Sequence, residues 1–241
     1  MKPLSCLLIL MSSSLTGCRG QILPLPSPNR GGSTVNTWLK KNDKASVQHS
    51  FDPNVTPAFT SALTNPSLIV VSVTIRTAGS ILTPTDTAGN TYVDSGASGV
   101  PGDGGTCRIF YALNTHTTAS NVVSISNPLS KTMTIVAMEF TGGVTVSPVR
   151  AFATNPTVTA SGANMTSTAI AGTVAGDLLV GSTIDFNVGS GLSAGSGYTA
   201  SSDPSCVYNL NGAGGSIAVL WTTTNTNEAY GAIGVAFKPG P

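Results

Sequence analysis

Residues 67–76 read SLIVVSVTIR, which sets Val71, Val73 and Ile75 on one side of an extended backbone and Ser72, Thr74 and Arg76 on the other. A period of two marks a β-strand, because successive side chains of a pleated chain point to opposite faces. TMTIVAMEF, residues 132–140, repeats the pattern with Val136, Met138 and Phe140 together. Further short runs follow at turn-rich spacing, and no stretch carries a convincing amphipathic helix. This arrangement predicts an all-β antiparallel sandwich rather than βαβ units.

The pattern also repeats itself. Leu68-Ile69-Val70 matches Leu178-Leu179-Val180, 110 positions on. At the same displacement GDGGTCRIFY, ending in Tyr111, matches GAGGSIAVLW, ending in Trp221. Gly89 and Tyr92 match Gly195 and Tyr198 four residues out of phase, and Val136, Met138 and Phe140 answer Ile233, Val235 and Phe237. These echoes predict two related half-domains of about four strands each, at about 68–140 and 178–237, which bury their apolar faces by pairing. The link between them is expected to add strands near 144–149 and 165–170.

Composition agrees with the β reading. Gly 27 and Pro 15 among 241 residues are too many for long helices, while 40% hydrophobic residues suffice for a core. Only 9% of residues are charged and the net charge is +1, so no electrostatic footprint supports a nucleic-acid partner.

The amino terminus reads differently. MKPLSCLLILMSSSLTGC has a positive start at Lys2, a short apolar run and then small residues, the form of a secretory signal too short to span a bilayer stably. Leu15-Thr16-Gly17-Cys18 resembles a bacterial lipobox. The resemblance implies a signal peptide at 1–17, cleavage before Cys18, and lipid on the Cys18 sulfur and new amino terminus. Arg19 stands where an Asp would favour retention at an inner membrane, so an outer-membrane or cell-surface anchor is expected. Several acyl chains on one cysteine would hold firmly. Residues 18–43, with Pro24, Pro26, Pro28 and Gly31-Gly32, are expected to form a lipidated tether, leaving 44–241 as the sandwich domain. Trp38, Lys40 and Lys41 fall in that tether. Cys107 and Cys206 then remain, and could form one disulfide or stay two buried thiols.

The run DTAGNTY, RIFYALN, NVVSIS, EFTGG, then GDLLVGS, GSGYT and GAIGVAFK is similar to jelly-roll-like β-sandwich domains of secreted and surface bacterial proteins. The resemblance covers about 45–238. It implies fold, and an adhesive or carbohydrate-facing role only by analogy.

Candidate sites divide by chemistry. TPTDTAGNTYVDSG, residues 83–96, holds Asp86 and Asp94, which with Asp103 could approach a calcium ion. That ion wants six to eight oxygens, and the second copy keeps the Gly and Tyr without a carboxylate, so the stretch reads as a turn. Only His49 and His116 exist and no CxxC pair does, which excludes a multi-histidine zinc site, and no cofactor motif is present. No serine sits in a GxSxG elbow, and Glu139 and Asp185, the acids within strand patterns, are expected to point outward. No catalytic residue is assigned. Tyr111 and Trp221 are read as equivalent packing residues, and Tyr230 as a cap on the sheet. For binding, Tyr208 with Asn209 and Asn211 is the leading candidate: an aromatic face beside amides, on what reads as a non-repeated loop, suits a sugar. The expectation is a non-enzymatic surface lipoprotein that binds a glycan or extracellular polymer. A self-associating structural subunit is the rival, and a glycan hydrolase stands third.

Overall fold

The computed structural model of the protein describes residues 37–48, 54–77, 79–99, 105–127, 131–154, 158–159, 164–185, 191–224 and 229–241. The expected signal peptide, Cys18 and most of the tether lie outside these residues, as do His49 and Asp103. The described residues belong to one compact unit, 34–241.

The chain begins with β1 (Leu39–Gln48), β2 (Asn54–Val55), β3 (Ser67–Ile75), β4 (Thr85–Asp86), β5 (Val93–Gly99) and β6 (Thr106–Asn114). It continues through β7 (Val123–Ile125), β8 (Met133–Thr141), β9 (Val149–Ala153), β10 (Val158–Thr159), β11 (Asn164–Thr166), β12 (Ile170–Thr173) and β13 (Asp177–Asp185). The last are β14 (Ser193–Ala194), β15 (Thr199–Ala200), β16 (Cys206–Gly212), β17 (Gly215–Ile217), β18 (Leu220–Thr222) and β19 (Ala229–Phe237). The described residues contain no helix, and so none long and apolar enough to cross a membrane.

Two antiparallel sheets form the sandwich. One has the order β1-β8-β3-β6-β5; the other runs β10-β19-β13-β16-β15, with β9 also paired to β19. Residues up to Thr141 build the first and residues from Val149 the second, so the chain completes one principal sheet before starting the other. The steps β8-β3-β6-β5 and β19-β13-β16-β15 follow the same order.

Between the sheets lie Leu68, Val70, Ile109, Val136, Met138 and Phe140 from one side and Leu178, Val180, Cys206, Ile233, Val235 and Phe237 from the other. The outer faces are buried too. The small sheet β2-β7-β4 brings Val123 and Ile125 onto Val71, Val73 and Ile135. On the far side β11-β18-β14 and β12-β17 bring Met165, Trp221 and Ile170 onto Leu179, Val207 and Ala236. Gly181 and Gly234 face each other across β13 and β19, and a Cβ at either would strike Val219. Those glycines let the outer layer sit close.

This layering explains why all nine residues of β3 are buried, where alternation alone suggests a polar, wetted face. Ser72 points into the sandwich, and its hydroxyl donates to Ser182 Oγ at 2.7 Å, joining the sheets through a satisfied buried pair.

Two expectations need correction. Trp38 is not in a tether: it is 1% exposed, its ring edge-on to Phe140 at 6.5 Å and so close to Gly143 that a Cβ there would lie 2.3 Å from the indole. The folded domain therefore begins before residue 44, and β1 runs the length of β8 from Leu39↔Thr141 to Gln48↔Met133. Lys40, Lys41 and Asp43 looked like linker because they occupy an edge strand, where charge guards unpaired backbone groups. Tyr111 and Trp221 are not equivalent either. Tyr111 lies opposite Val70 on β6, whereas Trp221 belongs to β18 in an outer layer. Tyr208, opposite Val180, holds the position that answers Tyr111. Strand β6 opens at Thr106, just after the first glycine-rich run, whereas Gly212 ends β16 and Gly215 opens β17, so the two runs do not hold equivalent places.

Candidate functional site

Strand β6 alternates between two cores. Phe110 and Ala112 face the outer layer, while Cys107 and Ile109 face the sandwich. Tyr111 and Leu113 continue on the sandwich face, where both are only partly buried. Their side chains, followed by Thr115, wall a cleft of about 420 Å³. The Tyr111 ring is held edge-on to Phe237 at 5.9 Å between centroids.

Three segments complete the cleft, each fixed from behind. His116 and Thr115 sit on a loop secured by buried Asn114, whose Nδ2 donates to the Thr64 and His116 carbonyls at 2.8 and 2.9 Å. Asn114 Oδ1 accepts from the His116 amide, and Asn65 Nδ2 donates to the Thr115 carbonyl. Asn90, Thr91 and Val93 come from the stretch weighed above as a cation loop. Ser147 and Pro148 form the opposite lip, held by Lys238, whose amide donates to the Pro148 carbonyl and whose Nζ donates to the Ser147 carbonyl. Ser147 has φ +47°, the one left-handed non-glycine among the described residues. Such conformations persist where surrounding bonds enforce them.

Asp86 is the centre of the turn. Its carboxylate accepts from the Asn90 amide at 2.9 Å, Asn90 Nδ2 at 2.8 Å, Tyr92 OH at 2.9 Å and Asn121 Nδ2 at 3.1 Å. Three donors crowd Oδ2 and one holds Oδ1, so the carboxylate is committed to its own turn. Burial and the adjacent Asp86 charge push the Tyr92 phenol far up, so it stays a donor. Asp94 instead accepts from the Gly96 amide and Arg108. Among the described residues no group of three His, Cys, Asp or Glu is placed to hold a metal ion.

The cleft offers unengaged polar groups around an aromatic ring. The Tyr111 hydroxyl, the His116 imidazole and the hydroxyls of Thr91 and Thr115 have no hydrogen-bond partner among the described residues. Such groups on fixed walls can exchange water for a ligand's hydroxyls, and the ring can meet an apolar face.

The sequence-derived candidates lie elsewhere. Tyr208 is in strand β16, not a loop; it is 6% exposed, packed edge-on against Phe140 at 5.7 Å with Lys40 Nζ 4.8 Å from its ring centre. Burial pulls the Lys40 pKa down, but Asp43 and Tyr208 outweigh it and the net direction is up. Asp43 also accepts from the Ser202 amide and hydroxyl, which ties β1 to the loop before β16. Asn209 Oδ1 accepts from the Asn211 amide within β16, at the register shift between the pairs Leu179↔Asn209 and Asp177↔Gly212. The loop reading failed because Asn and Gly next to Tyr208 mark the end of a strand whose start is apolar.

Cys107 and Cys206 are both buried free thiols, so no disulfide joins them. Burial pushes Cys107 up to about 12; it also raises Cys206, helped by the charges of Asp43 and Asp203. Glu139 does not point into water. It is wholly buried, accepting from Asn42 Nδ2 and the Thr64 amide. Tyr230 lies inside β19, 3% exposed, where its hydroxyl accepts from the Thr166 amide and secures β11. His116 is on the cleft wall; the side chain of Asp185 is not among those described.

Comparisons with family models, curated proteins and solved structures returned no match to this chain.

Proposed function

We propose that the protein is an exported, lipid-anchored surface module of the jelly-roll-like class that binds a glycan or extracellular polymer without chemically altering it. The observation carrying this reading is the cleft at Tyr111: an aromatic ring, ringed by unengaged hydroxyl and imidazole groups, on walls that are already rigid. Preorganised walls lower the ordering cost of binding, which matters for a hydroxylated ligand that competes with water. Cys18 would supply the lipid attachment, and with it the membrane as the second partner. The buried acids do not favour hydrolysis: Glu139 and Asp177 are enclosed, and Asp177 is held by Arg150 at 2.7 Å. Assembly through the longest edge strand is opposed by its three lysines.

The test is a screen of the full chain against neutral and charged glycans and cell-envelope polysaccharides, with Tyr111→Ala and Asn211→Ala alongside. Selective binding lost with Tyr111 but kept with Asn211 supports the cleft. Binding unaffected by Tyr111→Ala moves the site, and silence across the screen, with self-association by sedimentation, would favour the structural role.

A further inference from the structure

A second hollow, about 250 Å³, opens beside the first between the start of β3, the end of β6 and the segment after β8. Its walls include Ser67, Asn114, Gly143, Val144 and Thr145. Leu113 and Thr115 wall both hollows, so this pair of residues two positions apart forms a partition common to them. Alone, the smaller falls below the roughly 300–1,000 Å³ usual for a ligand pocket. Beside the first it extends a binding surface along the rim of the sandwich. The backing is shared as well. Asn114 braces the divider, and the 142–148 segment that lines both hollows is bonded along the carboxy-terminal strand, with Val144 N donating to the Lys238 carbonyl and Gly240 N to the Gly142 carbonyl.

Charge narrows the occupant. No Asp, Glu, Lys or Arg lines either hollow. The nearby Lys238 ammonium is turned to the Ser147 carbonyl and the Asp86 carboxylate to its own turn. An anionic polymer would lose hydration here without gaining a counter-charge, whereas hydroxyls can use the Thr91, Thr115 and Thr145 side chains. Resting on the reading of the cleft as a glycan site, we propose that its ligand is a segment of a neutral linear polysaccharide, with one sugar over Tyr111 and the chain passing Leu113 and Thr115 into the second hollow. Recognition then depends on chain length.

Titration calorimetry of the full chain with neutral gluco-, xylo-, manno- and N-acetylglucosamine oligosaccharides of one to six units, and with oligogalacturonate as the anionic probe, decides this. In at least one neutral series the affinity should rise at least about tenfold from one unit to four and then level off. Thr145→Trp, on an exposed residue that lines the second hollow and not the first, should remove that gain while leaving the affinity for the single sugar unchanged. Val144→Trp, also in the second hollow only, should do the same, and covers the case in which the first variant misfolds. Equal affinity for one unit and four, or oligogalacturonate binding above every neutral series, overturns the proposal while the binding module stands. No binding by any saccharide overturns both.

Discussion

Replacing Trp38 tests where the folded domain begins. Its indole is 1% exposed, set against Phe140 and close against Gly143, at the point where the chain joins the edge of the first principal sheet. Truncating a buried Trp to Ala typically costs about 3–5 kcal/mol through lost transfer energy and the cavity left behind. Gly143 offers no side chain to collapse into the space, which argues for the upper part of that range. Against a total stability of about 5–15 kcal/mol the loss is large. For a domain of this size it corresponds to a fall in Tm of roughly 6–20 °C, at about 2–4 °C per kcal/mol. Trp38→Phe should cost less, because the indole N–H is buried without a partner among the described residues and Phe removes that donor along with the volume. The assay is thermal and urea unfolding of the full chain and both variants, with a shortened chain starting at Lys44 beside them. The short chain also loses the first half of β1, and should be less stable than Trp38→Ala. A Tm for Trp38→Ala within about 2 °C of the parent, together with a stable short chain, would refute the reasoning and restore residues 37–43 to a tether; the limit is under 1 kcal/mol on the same scale.

Asp86→Ala strands two donors that have little access to water, Tyr92 OH and Asn121 Nδ2, and should cost about 2–4 kcal/mol in urea unfolding; millimolar calcium should leave the parent's midpoint unchanged. A calcium-dependent rise in stability would return this turn to the cation-binding class. The two thiols predict an alkaline decline. Cys107 is raised from 9.0 to about 12 in the folded state, so its stabilising effect is complete below pH 9 and is lost as pH rises toward 12. Each such thiol contributes a slope of about 1.4 kcal/mol per pH unit, and Cys107→Ala should flatten the urea midpoint between pH 9 and 11. Reductant at neutral pH should leave the midpoint unmoved, since no bond joins Cys107 to Cys206.

Local chemistry made the strands legible. Period-two runs at Val71–Val73–Ile75, at Val136–Met138–Phe140 and at Ile233–Val235–Phe237 sit in strands with those residues buried together. The turn at Gly89 was equally legible, because an Asp followed by Gly-Asn carries its own hydrogen-bonding partners. Legibility ended where burial depends on something distant in sequence. Ser72 looks solvent-facing until a second sheet brings Ser182 to 2.7 Å, and Lys40–Asp43 looks like a linker until β8 lies beside it. Glu139 looks like a surface acid until Asn42 and Thr64 enclose it.

The candidate site belongs to the same class. Tyr111, Leu113 and Thr115 share one face of an alternating run, which the sequence states. That this face leaves the core and lines a cleft depends on where the facing sheet stops and where the 142–148 segment and the Asn90 turn arrive. Alternation is a property of neighbouring residues and survives in any fold. Exposure at the end of a strand is decided by segments tens of residues away, and only the packed molecule brings them together.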